Sequence, residues 1–127
     1  MTPKQTEAFI KKQLDRWGYL VTSYGWRFTA FYVPNGNEMP DGHESATACT
    51  NFSPMYLEGF IHFNIHKCAK LPLDRLEEVV IHKITHMIVA PMDDLSREKN
   101  ADVERVVTQL SRILKGLRKS SKKGKRN

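Results

Sequence analysis

From Leu73 to Val89 the chain reads LDRLEEVVIHKITHMIV, and no other stretch limits the fold so strongly. Leu71-Pro72 breaks what precedes it, Asp74 with Glu77 resembles a capping box, and Pro91 stops continuation, so a helix is predicted to run through HKITH to about Val89. Leu73, Val80, Ile84 and Met87 form one apolar stripe. Glu78, His82 and His86 fall on the far side, but Val79 and Val89 make even that side largely apolar. A helix that is apolar nearly all round is buried, so the rest of the chain must wrap a core around it.

The flanking segments can supply that cover. Thr2-Pro3-Lys4-Gln5 reads as a helix start, with Thr2 as N-cap, Pro3 at the first helical position and Gln5 completing a capping box. Phe9, Ile10, Leu14 and Trp17 recur at helical spacing and the helix should stop near Gly18. WRFTAFYV, from Trp26 to Val33, is rich in aromatic and β-branched residues and closes on Pro34-Asn35-Gly36, as a strand and turn would. SATACTNFS is a second short strand. In GFIHFNIHK, Ile61, Phe63 and Ile65 alternate with Phe60, His62, Asn64 and His66, the period-two pattern of a strand with one face in the core. After PMDDLS, with Asp94 or Ser96 as cap, Val103, Val107, Leu110, Leu114 and Leu117 mark a last amphipathic helix. The expected class is α+β: an N-terminal helix, a small sheet of about three strands that is antiparallel or mixed, the HKITH helix and a C-terminal helix.

At 127 residues the chain is the size of one domain, expected to span residues 1–117. The net charge of +6 is unevenly spread. Seven basic residues and no acid lie in the last thirteen positions, KGLRKSSKKGKRN, and removing these seven leaves the body at −1. Residues 118–127 therefore read as a basic, disordered, solvated tail in preference to a nucleic-acid arm, because a fold that grips nucleic acid carries its basic face on structured elements. Cys49 and Cys68 form neither a CxxC pair nor a dense disulfide framework. With no signal-peptide pattern and no apolar run of spanning length, a reduced, cytoplasmic protein without a membrane partner is expected. Nothing in the sequence addresses oligomeric state.

Two His-x-x-x-His pairs are present, and element type separates them. On a helix, His82 and His86 share one face about 6 Å apart and two imidazoles can meet at one ion. On a strand, His62 and His66 would stand about 13 Å apart and could not share a metal. Those two are read as polar positions on the less buried sheet face. Buried imidazoles need partners, either hydrogen bonds or a metal, and from spacing alone a hydrogen-bonded core pair is the commoner outcome. Cys68 followed by His82 and His86 also resembles the second half of a Cys₂His₂ finger, but no cysteine stands two to four residues before Cys68 to begin one.

LDRLEEVVIHKITHMIVAPMDD, followed by ADVERVVTQLSRIL, resembles the HExxH core of the small gluzincin-type metallopeptidases common in phages and prophages. The likeness extends upstream to GWRFTAFYV and YLEGFIHFNI and so covers most of Trp26 to Leu114; its specific part is the His pair and the following Ala-Pro. The resemblance implies a zincin-like fold, a zinc ion, a peptide or protein substrate, His82 and His86 as ligands, and a glutamate of the next helix as third ligand. Glu104 matches best, with Asp102 and Glu98 as alternatives. Where the family has the glutamate that takes a proton from the attacking water, this chain has Lys83, a cation at its ordinary pKa of about 10.4 and unable to act as that base. A zinc-binding relative of metallopeptidases with impaired or lost hydrolysis is the leading expectation. Three explanations for Lys83 stay open: a natural inactive relative, a selected or deliberate knockout, and an unusual site with a neutral lysine, the first two being preferred. The alternative function is a binding module on the same fold, directed at nucleic acid by the basic tail, whose binding would be steeply salt-dependent.

Overall fold

A computed structural model describes residues 1–23, 25–53, 56–89, 104 and 107–117. Its architecture is α+β. Helix α1, Pro3–Trp17, starts with both reciprocal bonds of its capping box: Gln5 N–H donates to Thr2 Oγ1 at 3.1 Å and Thr2 N–H to Gln5 Oε1 at 3.0 Å. Thr6, Ile10, Gln13, Leu14 and Trp17 make its buried face. Gly18 ends it, in a space so narrow that a Cβ would stand 2.6 Å from the Leu14 carbonyl oxygen. A single further turn, α2 (Tyr19–Thr22), then leads toward the sheet.

The sheet has three strands, β1 (Arg27–Val33), β2 (Ala48–Ser53) and β3 (Glu58–Asn64), in the order β1-β3-β2. It is mixed, as β3 runs parallel to β1 and antiparallel to β2. The chain thus passes from β1 to the far edge before returning through the centre. Ile61 and Phe63 of the central strand are wholly buried and join Ile10, Leu14 and Trp17 of α1 in the main core. On the opposite face, Phe31 stacks on His62 with ring centroids 4.7 Å apart.

The alternation read through His66 ends earlier than expected. Asn64 leaves the strand and caps a short helix, α3 (Ile65–Cys68), accepting a bond from Lys67 N–H at 3.3 Å. His66 is therefore an exposed helical residue and not a strand position. A side chain that can cap a helix competed with the period-two pattern and won.

The HKITH helix, α4 (Leu73–Ile88), buries Leu76, Val80, Ile81, Ile84 and Met87 without measurable exposure. Two expectations about its start need correction. Leu73 is half exposed and lies outside the stripe, and no side chain caps the helix, whose N-cap is Pro72. Glu77 instead turns inward, where Trp17 Nε1–H donates to its Oε2 at 3.4 Å and Arg16 approaches at 3.9 Å. It pins α1 to α4. Gly59 allows the sheet to meet α4 closely, because a Cβ there would lie 2.5 Å from Met87 Cε.

Residues 107–117 form a further helix, α5, and Glu104 is also helical. Val107 packs with Val89, Ser111 Oγ donates to Thr85 Oγ1 at 3.3 Å, and Lys115 reaches Asp74 and Glu78. These pairs ascend α5 as they descend α4, so the two helices are antiparallel. Leu114 is half-buried against the main core and Leu117 is exposed, whereas Ser111 and Lys115 are buried. Val103, the cap candidates Asp94 and Ser96, Pro91 and the tail 118–127 lie outside the described residues. No helix among the described residues is long and apolar enough to cross a membrane.

Candidate metal centre

One turn of α4 sets His82 above His86, and the α4–α5 contacts carry Glu104 across to them. Glu104, Val107, Ser111 and Lys115 recur at three- and four-residue spacing, the interval that places side chains on one helix face. Val107, Ser111 and Lys115 fix that face against α4, and Glu104 continues it to the histidines. His86 Nε2 lies 2.8 Å from Glu104 Oε1, His82 Nε2 lies 3.1 Å from Glu104 Oε2, and the two Nε2 atoms are 3.2 Å apart. The imidazoles are largely covered, while the glutamate, at 53 % exposure, forms the open side. Among the described residues these three form a group able to hold a metal ion, their ligand atoms all within 4.8 Å of one another. Asp102 and Glu98 lie outside the described residues.

The donor set fits a small cation. Tetrahedral donors at zinc bond lengths of about 2.0–2.1 Å stand roughly 3.3 Å apart, and the observed separations differ from this by tenths of an ångström. Protons fit less well. Each Nε2 carries at most one hydrogen, so at most two of the three close contacts can be hydrogen bonds at once. One pair of electronegative atoms always faces without a bridge, whereas one cation at the centre would satisfy all three. Burial lowers the pKa of His82, the neighbouring Lys83 lowers it further, and Glu104 works in the opposite direction. The net result favours the neutral imidazole, the form that binds metals.

Lys83 sits beside the group. Burial pushes its pKa below the ordinary lysine value, against the pull of Glu104 and of Cys49. The Cys49 thiol is itself pushed up, by burial first, with Lys83 and the His62 backbone N–H opposing. A cavity of about 380 Å³ opens over His86, Glu104 and Lys83, walled by strand β2 from Ala48 to Phe52 and by His43. A second, of about 410 Å³, lies on the other side of Lys83 and reaches His82, Arg75 and Arg112. The site therefore has room for a ligand on either side of the lysine.

The other sequence candidates are elsewhere. His62 lies under Phe31 with its Nδ1 buried and unpartnered among the described residues, and His66 is exposed on α3. Cys68 is a buried free thiol whose Sγ contacts the Thr47 carbonyl at 3.5 Å; burial pushes its pKa to about 11, and it is not a member of the three-residue group. Ser111 and Lys115, which set the α5 face, were missed in the sequence. Their spacing from Glu104 is the available signal, hidden because polar residues add nothing to an apolar stripe. No protein-family model, curated protein or solved structure matches this chain.

Proposed function

We propose that the protein binds zinc through His82, His86 and Glu104 in a site of the metallopeptidase type, and that peptide hydrolysis is impaired because Lys83 occupies the general-base position. The observation that carries this reading is the convergence of three ligand-type side chains from two helices, with donor atoms 2.8 to 3.2 Å apart. The resemblance of the HKITH region and its flanks to small gluzincin-type metallopeptidases selects zinc among metals and peptides among substrates. The α+β order of elements is compatible with the zincin-like fold that this resemblance implies.

A zinc ion held there would polarise a substrate carbonyl and ease deprotonation of water. The chain's own residues decide the rest. Hydrolysis needs a group beside the ligands that accepts a proton from the attacking water and passes it to the leaving amine. A glutamate directly after the first histidine does this because a carboxylate is ionised at neutral pH. An ammonium at the same position has no lone pair to accept the proton and opposes the approach of a cation. Ligand geometry comes from the helix and survives the substitution, whereas proton transfer does not.

The test is a paired assay of the chain and its Lys83→Glu variant, each loaded with zinc, against unstructured peptides. The variant should bind zinc more tightly and gain hydrolysis by about 10²- to 10⁴-fold, the usual contribution of a positioned general base. The gain should disappear with chelator. If both forms bind zinc at His82 and His86 and neither cleaves any peptide, the site is not a peptidase lacking its base.

A further inference from the structure

The cavity of about 410 Å³ beside His82 is unlike the one over Glu104. Among the described residues, its polar lining includes Arg75 of α4, Arg112 of α5 and Lys83, together with the hydroxyls of Thr47 and Thr108. Its apolar lining is made by Ala48, Leu71 and Val79. One acid, Glu78, also lines it, but that carboxylate is engaged by Lys115 at 3.1 Å and by Arg75 at 3.4 Å. The folded body of the chain carries no excess of positive charge, yet among the described residues two guanidinium groups from different helices and Lys83 border one concavity with one acid, which Lys115 engages as well as Arg75. From this we infer that the cavity is a carboxylate-binding pocket, taking an acidic group of a bound peptide between Arg75 and Arg112.

The chemistry of each side chain suits that ligand. Arginine offers several N–H donors in a planar fork that matches the two oxygens of a carboxylate. Both guanidinium groups reach the cavity from solvent-accessible positions, Arg75 with 66 % of its side chain exposed, and the Arg75–Glu78 contact at 3.4 Å is a surface pair that a ligand carboxylate can displace. The threonine hydroxyls can donate to the same oxygens. The amine of Lys83 donates N–H bonds whether or not it is charged, which gives this residue a role in holding a ligand on the side of the cavity next to His82. Ala48, Leu71 and Val79 accommodate the few carbon atoms that precede a carboxylate. The volume suffices for one such side chain or for the end of a chain.

The pocket is argued from its own lining and stands whether or not the neighbouring histidines hold zinc. A carboxylate can come from an acidic side chain or from a peptide C-terminus, and the experiment separates them. Chemical-shift titrations of the full chain would compare acetyl-Ala-Glu-Ala-amide with acetyl-Ala-Gln-Ala-amide, and acetyl-Ala-Ala-Ala with its C-terminal amide, each with chelator and again with one equivalent of zinc. At least one carboxylate peptide should bind about tenfold more tightly than its neutral partner, the scale expected when two charge-assisted contacts form near a surface. Arg75→Gln/Arg112→Gln should abolish that preference, and Arg112→Gln alone should reduce it, with circular dichroism unchanged because both side chains are largely solvent-facing. Equal binding of charged and neutral peptides, or a preference that survives in the double variant, overturns the proposal. A preference seen in chelator by a protein that takes up no zinc would uphold this pocket while rejecting the metal site.

Discussion

Replacing Lys115 by alanine should cost the fold about 2–3 kcal/mol, and the structure says where that comes from. The Lys115 side chain is only 7 % exposed, and its Nζ lies 2.7 Å from Asp74 Oδ1, 3.1 Å from Glu78 Oε1 and 3.1 Å from the Asp74 carbonyl oxygen. Burial disfavours its charge, but the carboxylates of Asp74 and Glu78 more than offset this and hold its pKa above the ordinary lysine value. The full penalty for breaking a buried ion pair, about 3–5 kcal/mol, does not apply. Asp74 is 63 % exposed and Glu78 33 %, so water replaces the lost ammonium and the ionic part falls to about 1 kcal/mol. The lost donor to the Asp74 carbonyl and the lost packing of the buried stem supply the remainder, each about 1 kcal/mol or less. For a chain of this length that corresponds to roughly 8–12 °C in Tm. Lys115→Met keeps the stem but loses the ionic part and the donor to the Asp74 carbonyl, so it should lose about 1–2 kcal/mol relative to the parent. Both variants would be measured by urea denaturation followed by circular dichroism, with zinc affinity determined alongside, because Lys115 anchors the helix that presents Glu104. A Lys115→Ala stability within about 0.5 kcal/mol of the parent, the range of an ordinary surface substitution, would refute the reasoning.

Two further outcomes follow from the same residues. Burial lowers the pKa of His62 below 6.5, so as the pH falls the unfolded chain takes up its proton before the folded one does. Stability from this group is therefore complete above about pH 6.5 and is lost as the pH falls through the window between 6.5 and the lower folded value; denaturation midpoints at pH 7.5 and 5.5 should differ by less in His62→Phe than in the parent, and an unchanged difference would contradict the assignment. Deleting residues 118–127 should leave the thermal midpoint almost unmoved, since RKSSKKGKRN has no apolar side chain to bury; a loss of several degrees would show that the segment is part of the fold.

Local chemistry was the legible part of this fold. Thr2 and Gln5 announce α1 because the capping box is closed by residues three apart, and the aromatic, β-branched run after Trp26 announces β1. What depends on distant residues was not legible. Nothing within β3 says that it lies between β1 and β2, since strand order is set by which faces must be buried together. Glu77 read as a capping residue because the sequence shows its distance from Asp74 but not the Trp17 indole waiting sixty residues earlier. The candidate site divides along the same line. His82 and His86 are one helical turn apart and could be paired on spacing alone, whereas Glu104 reaches them only because Val107, Ser111 and Lys115 seat α5 against α4. Ser111 and Lys115 were overlooked because a helix face held by polar contacts leaves no hydrophobic periodicity to read.

Metal content and affinity, measured together on untagged protein, test the central claim most directly. Zinc titration by calorimetry after chelator treatment should give one site per chain, lost in His82→Ala/His86→Ala, weakened in Glu104→Ala and unaltered in Cys68→Ser, which removes a buried thiol outside the three-residue group. Removing one ligand of three should weaken binding by more than the 10- to 100-fold typical of losing a residue that only supports a ligand. A protein that takes up no zinc, or one whose zinc depends on Cys68 and not on His82 and His86, would contradict the account.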